Sequence, residues 1–376
     1  RSAGFPARDV GLERPTYAVG GRWPDDEPPA PGFFNSPRAP ILHLTNTYHE
    51  CRPNSCYNQI WYPRDLPPES RRPSSPGSRT LVGGGRLTAR LGMFVAILVL
   101  VCILIPCAGW CSDTLPSPAG CSWVRQPQQG CPVNDARGYQ EWVKRNGPVT
   151  ARHEKSGIEL VWVPGGSFMM GSDDGDDDEG PVHRVRLDGF WIGKTEVTLG
   201  QWRRAAESPR TPYNDQGDDH PVLDVSWEGC VQFCRRAGLE LPTEAQWEYA
   251  ARGPDVRAYP WGDQWDSSLC QSDTDRHGYA RTAPAGSFPG GASWCGALDM
   301  AGNVWEWCRD WYQSDFYGTS AARARNPECR DKSSGWRVLR GGSWGYPSRY
   351  CRSANRYKSY PDYGFSFRGF RVALPR

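Results

Sequence analysis

Arg340-Gly341-Gly342-Ser343-Trp344, Cys351-Arg352-Ser353-Ala354-Asn355-Arg356, Pro361-Asp362 and Gly369-Phe370-Arg371-Val372 punctuate the end of this chain, and clusters of different composition fill the gaps between them. The clusters are Gly345-Tyr346, Ser348-Arg349-Tyr350, Tyr357, Ser359-Tyr360, Tyr363 and Phe365-Ser366-Phe367. They contain Tyr, Ser, Phe, Gly and Arg, with no Asn, Lys, Glu, Gln, Met or Trp. No helical or strand period runs through them, so their rings read as displayed side chains rather than core. Rigid aromatics beside Ser and Gly are the vocabulary of a binding surface.

Upstream, Leu160-Val161-Trp162-Val163-Pro164 is strand-like, and Gly165-Gly166-Ser167-Phe168-Met169-Met170-Gly171 reads as a turn. Val182-His183-Arg184-Val185-Arg186-Leu187 alternates apolar and polar with period two, as a half-buried strand does. Leu199 to Glu207 reads as a short helix capped by Thr198. Ser226 caps a helix from Trp227 to Ala237 that stops at Gly238. Thr243-Glu244-Ala245-Gln246 is a capping box, followed by an apolar face of Trp247, Ala250 and Ala251 and a stop at Gly253. Beyond Pro254 the chain is rich in Gly, Pro, Trp and Asp, with short strands at most. The 18 tryptophans are therefore expected to supply core.

Several of these landmarks stand in a familiar order. Gly165-Gly166-Ser167-Phe168, Lys194-Thr195-Glu196-Val197-Thr198, His220-Pro221-Val222 with Val225-Ser226-Trp227, Leu241-Pro242-Thr243-Glu244-Ala245-Gln246-Trp247-Glu248 and Tyr259-Pro260-Trp261-Gly262 come first. Asp299-Met300-Ala301-Gly302-Asn303-Val304-Trp305-Glu306-Trp307 and the Arg-Gly-Gly-Ser-Trp ending complete the set. The chain thus resembles the formylglycine-generating-enzyme, or sulfatase-modifying-factor, family. The resemblance implies an α+β, C-type-lectin-like fold with few short helices and strands. Members that oxidise a sulfatase cysteine carry two cysteines after the Gly-Gly-Ser, and these hold one copper(I). Here the second is Cys351, but the first position is Tyr346. One thiolate cannot make the two-coordinate soft site that copper(I) prefers. Copper is not expected, and the protein is expected to bind rather than to catalyse. The alternative is an oxidase in which Cys351 and Ser343 act on a client sulfatase cysteine.

The clusters resemble the variable region of diversity-generating-retroelement variable proteins, in which adenines of asparagine codons are randomised. The resulting codons encode every cluster residue and exclude Lys, Glu, Gln, Met and Trp. This implies a diversified surface gripping a protein or glycan on another cell or phage; an invariant interaction module stays open beside it. The resemblance also implies one calcium ion, held by the carboxylates of Asp299 and Glu306 and the carbonyls of Gly302 and Val304, a set of hard oxygen donors. A second family calcium site is eroded, with His277 where an aspartate is expected and Leu269 near the matching asparagine.

The 376 residues carry a net charge of +2 with acids and bases interleaved, so there is no footprint for nucleic acid. Residues 1–92 are Pro- and Arg-rich and read as disordered, or as an upstream extension with the natural start at Met93. Residues 93–111 read as a signal peptide or membrane anchor, because Phe94 to Ile105 is too short to cross a bilayer comfortably. Residues 112–156 read as linker and 157–376 as the folded domain. Export fits the cysteines beyond the leader (121, 131, 230, 234, 270, 295, 308, 329 and 351), most of which are expected to pair in undeduced connectivity. Zinc is not expected, for want of Cys-x-x-Cys or His-x-x-x-His spacing. The acidic run Asp173-Asp174-Gly175-Asp176-Asp177-Asp178-Glu179 lacks the ligand alternation of an EF-hand and reads as a solvated loop.

Overall fold

The computed structural model describes residues 115–205 and 216–375; the expectations for residues 1–92 and 93–111 lie outside them. The fold begins before Gly157. Strand β1 (Cys121–Arg125), helix α1 (Ala136–Asn146) and strand β2 (Thr150–His153) occupy much of the segment read as linker. Asp135 caps α1 by accepting from Arg137 N and Gly138 N. The fully buried Tyr139 accepts at its hydroxyl from Val149 N, which ties the helix to the start of β2. A short amphipathic helix between two short strands carries too little periodicity to stand out.

The remaining strands are β3 (Glu159–Val163), β4 (Gly166–Met170), β5 (His183–Leu187), β6 (Phe190–Gly193), β7 (Trp305–Trp311), β8 (Arg337–Arg340), β9 (Tyr357–Ser359), β10 (Arg368–Gly369) and β11 (Ala373–Pro375). One sheet runs β1-β2-β3-β6-β11, antiparallel throughout, so the chain's end closes against β6. A second runs β10-β7-β8-β9, with β10 parallel to β7. The stretch read as a turn after Pro164 is strand β4, paired with β5 in a two-stranded sheet. Gly166 opens it and Gly165 and Gly171 flank it, which hid its strand character.

The helices follow their caps. Helix α2 (Leu199–Ala205) begins after Thr198, whose hydroxyl accepts from Gln201 N while the Gln201 amide returns to Thr198 N. Helix α3 (Trp227–Ala237) has Ser226 at its start and Gly238 in the left-handed region, φ 72°, at its end. Helix α4 (Glu244–Arg252) carries the Thr243/Gln246 capping box. The core is built on indoles: Trp162, Trp191, Trp247, Trp305 and Trp307 are all fully buried. Burying rings of this size offsets the small yield of so much irregular backbone.

The acidic run is exposed over Asp173–Asp177, as expected of a solvated loop, but its end is not. Glu179 is fully buried, where it binds both Arg352 and Asn355. Tyr312 donates to Asp178 at 2.7 Å, and Arg356 donates to the Asp178 carbonyl. Its partners stand far along the sequence, so a local pattern could not reveal it.

Candidate functional site

The words between the C-terminal clusters carry buried or half-buried cations that reach back to buried acids. Arg340 pairs with Glu248 and donates to the Ala354 carbonyl at 2.7 Å. Arg352 clasps Glu179, and Arg356 meets Glu244 through Nε at 2.8 Å and Nη2 at 3.1 Å. Arg371 meets Glu306 at 2.6 and 2.7 Å. Bidentate, charge-assisted contacts of this kind fix geometry as well as energy. Burial alone would raise Glu179 and Glu244, but the guanidiniums beside them outweigh it and hold both below the usual carboxylate range. The Pro361-Asp362 word is the exception, since Asp362 is exposed.

All twelve cluster residues lie at least partly at the surface. Tyr360, Tyr363 and Phe365 are 46%, 58% and 43% exposed. Gly345 and Arg349 are exposed, and Tyr346, Ser348, Tyr350, Tyr357, Ser359, Ser366 and Phe367 are half-buried. The rings form two tiers. Tyr346, Tyr350 and Tyr357 pack on the buried Trp305 indole at centroid distances of 5.6, 6.2 and 5.0 Å, and Phe367 leans on Tyr346 at 5.6 Å. Outside them, Phe365 stacks on Phe367 at 5.5 Å, and Tyr360 touches both Trp336 and Tyr363. The inner tier is thus partly core, contrary to the reading of all these rings as display.

The backbone beneath is held through its carbonyls. Trp227 N donates to Pro361 O, Asp224 N to Phe365 O and Trp305 N to Phe367 O, at 2.9, 3.1 and 2.9 Å. Trp344 Nε1 donates to Ser366 O at 3.2 Å. Gly364 presses on the chain at Asp224, where a Cβ would stand 2.5 Å from a backbone carbon.

Sequence reasoning missed the floor, Trp305, and the cation beside it, Arg368. Arg368 is 6% exposed and lies over the Phe365 and Phe367 rings at 4.3 and 5.5 Å. Burial pushes its guanidinium down to about 10. Its Nε and the Trp305 Nε1 have no acceptor among the described residues. The available signal was a charge adjoining an aromatic run. Ser343 and Cys351, the alternative catalytic pair, are both fully buried. A direct contact from Cys270, with burial, drives the Cys351 thiol well above its ordinary range, away from the reactive thiolate. Tyr346 brings a phenol, not a sulfur, to the other copper position.

The calcium candidates Asp299, Gly302, Val304 and Glu306 lie on one segment, and Glu306 is engaged by protein donors in this structure. Both of its oxygens are taken by Arg371, and Trp247 Nε1 donates to one of them at 2.8 Å. Asp299 accepts from Gly286 N at 2.6 Å. Against it lies Glu196, fully buried, with neither oxygen partnered among the described residues. Burial, then the charges of Asp299 and Glu306, push Glu196 well above the usual carboxylate range, and burial raises Asp299 beside it. Three carboxylates thus surround one guanidinium. Asp299 and the adjacent Glu196 are carboxylates that would offer oxygens to a cation. At the eroded second site, His277 Nε2 lies 2.9 Å from Ser267 O and 3.2 Å from Cys270 O, so the proton belongs on that nitrogen.

Residues 145–375 match the sulfatase-modifying factor enzyme 1-like domain. The formylglycine-generating enzyme of Thermomonospora curvata is 32% identical over 284 residues, covering 57% of this chain and 92% of that protein. The solved structure of PvdO from Pseudomonas aeruginosa superposes with a TM-score of 0.54 at 28% identity, over 61% of this chain and 99% of that one. Treponema denticola variable protein 1 superposes at 0.50 with 23% identity, over 58% and 95%, a likeness of fold alone.

Proposed function

This chain belongs to the sulfatase-modifying factor enzyme 1-like family and has its C-type-lectin-like fold, and from that premise we propose that it is an exported ligand-binding protein with a diversified C-terminal surface. One observation carries the reading. Within a single stretch, Arg340, Arg356 and Arg371 are buried and ion-paired, and Arg352 is half-buried and ion-paired, while every cluster residue reaches the surface. The ligand is a protein or glycan on another cell or phage. The outer rings Tyr360, Tyr363 and Phe365 are its anchors, because desolvated aromatics dominate binding energy.

The test is to sequence codons 340–371 and the adjoining DNA across many cells of the source population. Expected is variation confined to the twelve cluster positions, with a nearby near-copy differing at its adenines. An invariant gene without such a copy would mean one dedicated partner.

Likeness to the Thermomonospora curvata enzyme favours a second reading, a formylglycine-generating oxidase using Cys351 and Ser343. Tyr346 and the buried, protonated Cys351 oppose it. Purified protein retaining stoichiometric copper(I), lost in Cys351→Ala, would restore it.

A calcium ion at Asp299 and Glu196 is part of the proposal. It would lie between the two acids and leave the Arg371–Glu306 pair intact. An ion bound only by the folded state stabilises it by mass action, so chelation should lower the Tm. An unchanged melting curve in chelator would remove the ion from the proposal.

A further inference from the structure

Cys270 and Cys351 sit far apart in sequence, and the fold places them side by side in a closed apolar chamber with Tyr259 and Ala301. Cys270 is 2% exposed and Cys351 is fully buried, and their side chains touch directly. The surrounding backbone leaves room for the two sulfurs. A Cβ at Gly342 would lie 3.0 Å from Cys351 Sγ, and one at Gly302 would lie 3.5 Å from Cys270 Cβ. Both glycines have positive φ, 76° and 75°, so neither position readily accepts a side chain. Main-chain bonds already join the neighbourhoods: Asp273 N donates to Tyr346 O at 3.2 Å and Ser353 N to Ala258 O at 2.8 Å. All nine cysteines of the described residues stand as thiols in this structure.

We propose that Cys270 and Cys351 form a disulfide that staples the aromatic surface to the Cys270 loop. Two S–H bonds break and one S–S bond forms. Two electrons and two protons pass to the disulfide of a thiol–disulfide oxidant, which is reduced to two thiols. Two sulfurs could also hold one copper(I). Copper(I) uptake by the reduced protein distinguishes that outcome from the disulfide. The staple is independent of the binding proposal, since its state is read without any ligand. It would also remove the thiol that the oxidase reading requires.

The full chain is equilibrated with glutathione disulfide, unfolded in the presence of an alkylating agent, digested and mapped by mass spectrometry. Expected is a peptide pair joining Cys270 to Cys351 that disappears on reduction. Recovery of both residues fully alkylated overturns the proposal, as does either one bridged to another cysteine. Reduced protein that takes up one copper(I) and then resists glutathione disulfide overturns it too. Cys270→Ala, Cys351→Ala and the double variant should each lower the Tm of oxidised protein by roughly 5–10 °C, with the double no worse than either single. Additive losses would mean two independent packing residues. If Cys351→Ala fails to fold, the peptide map and Cys270→Ala still decide.

Discussion

Arg356 and Tyr360 stand in the same short stretch and have opposite surroundings. Arg356 is 3% exposed and locked on Glu244; Tyr360 is 46% exposed and rests on the edge of Trp336. The difference teaches that stability and display have been assigned to different residues of one segment rather than to different domains. The words hold the backbone from beneath, through partners that lie far upstream. The clusters add rings to the outside. Between the extremes lies the inner tier on Trp305, which belongs partly to each.

The comparison breaks most visibly at the buried end. Arg340→Met should cost about 2–4 kcal/mol, because it breaks a fully buried ion pair and leaves Glu248 with Arg252 as its remaining cation. Chemical denaturation measures it, and a loss under 1 kcal/mol would mean that the pairs do not hold the scaffold. Tyr346→Ala comes next. It removes a half-buried ring that touches Trp305, Tyr350, Tyr357 and Phe367, and should cost about 1–3 kcal/mol. A neutral result would move the inner tier wholly to display.

A pH series sharpens the same line. Burial, aided by the charge of Glu244, pushes Asp310 up to about 7. The folded state therefore keeps a proton that the unfolded chain loses near pH 4, so stability falls as pH rises from about 4 to 7. Glu179 and Glu244 act in the other direction: they are held low, and their contribution is lost as pH falls through the acid range. Melting curves of Asp310→Asn should lose the decline between about pH 5 and 7, while cluster variants should keep it. The smallest effect is expected at the surface. Tyr360→Ala, Tyr363→Ala and Phe365→Ala combined should change stability by about 1 kcal/mol or less while abolishing ligand capture. An equal loss of both would make these rings core.

The sequence was most legible where a signal is local. Ser226, Gly238 and the Thr243/Gln246 box placed helix ends to the residue because capping needs only neighbours. The alternation of β5 was equally plain, and so was the split between words and clusters. Strand β4 was lost to its glycine, and β1, α1 and β2 to their shortness. The site's supports were hidden for another reason. Glu179 with Arg352, Trp305 beneath Tyr357, and Cys270 beside Cys351 join segments that only the fold brings together. The acidic run looked solvated because its composition is polar, and polar composition does not disclose a distant buried cation.

Gly364 and the carbonyls of Pro361, Phe365 and Phe367 fasten the outer loop without using any of its side chains. The shape of the loop is therefore inherited, whichever residues happen to occupy Tyr360, Tyr363 or Phe365. Under the proposed diversification, each new combination would meet a folding problem already solved elsewhere in the chain, and the number of usable combinations would multiply with each position instead of being thinned by chains that fail to fold.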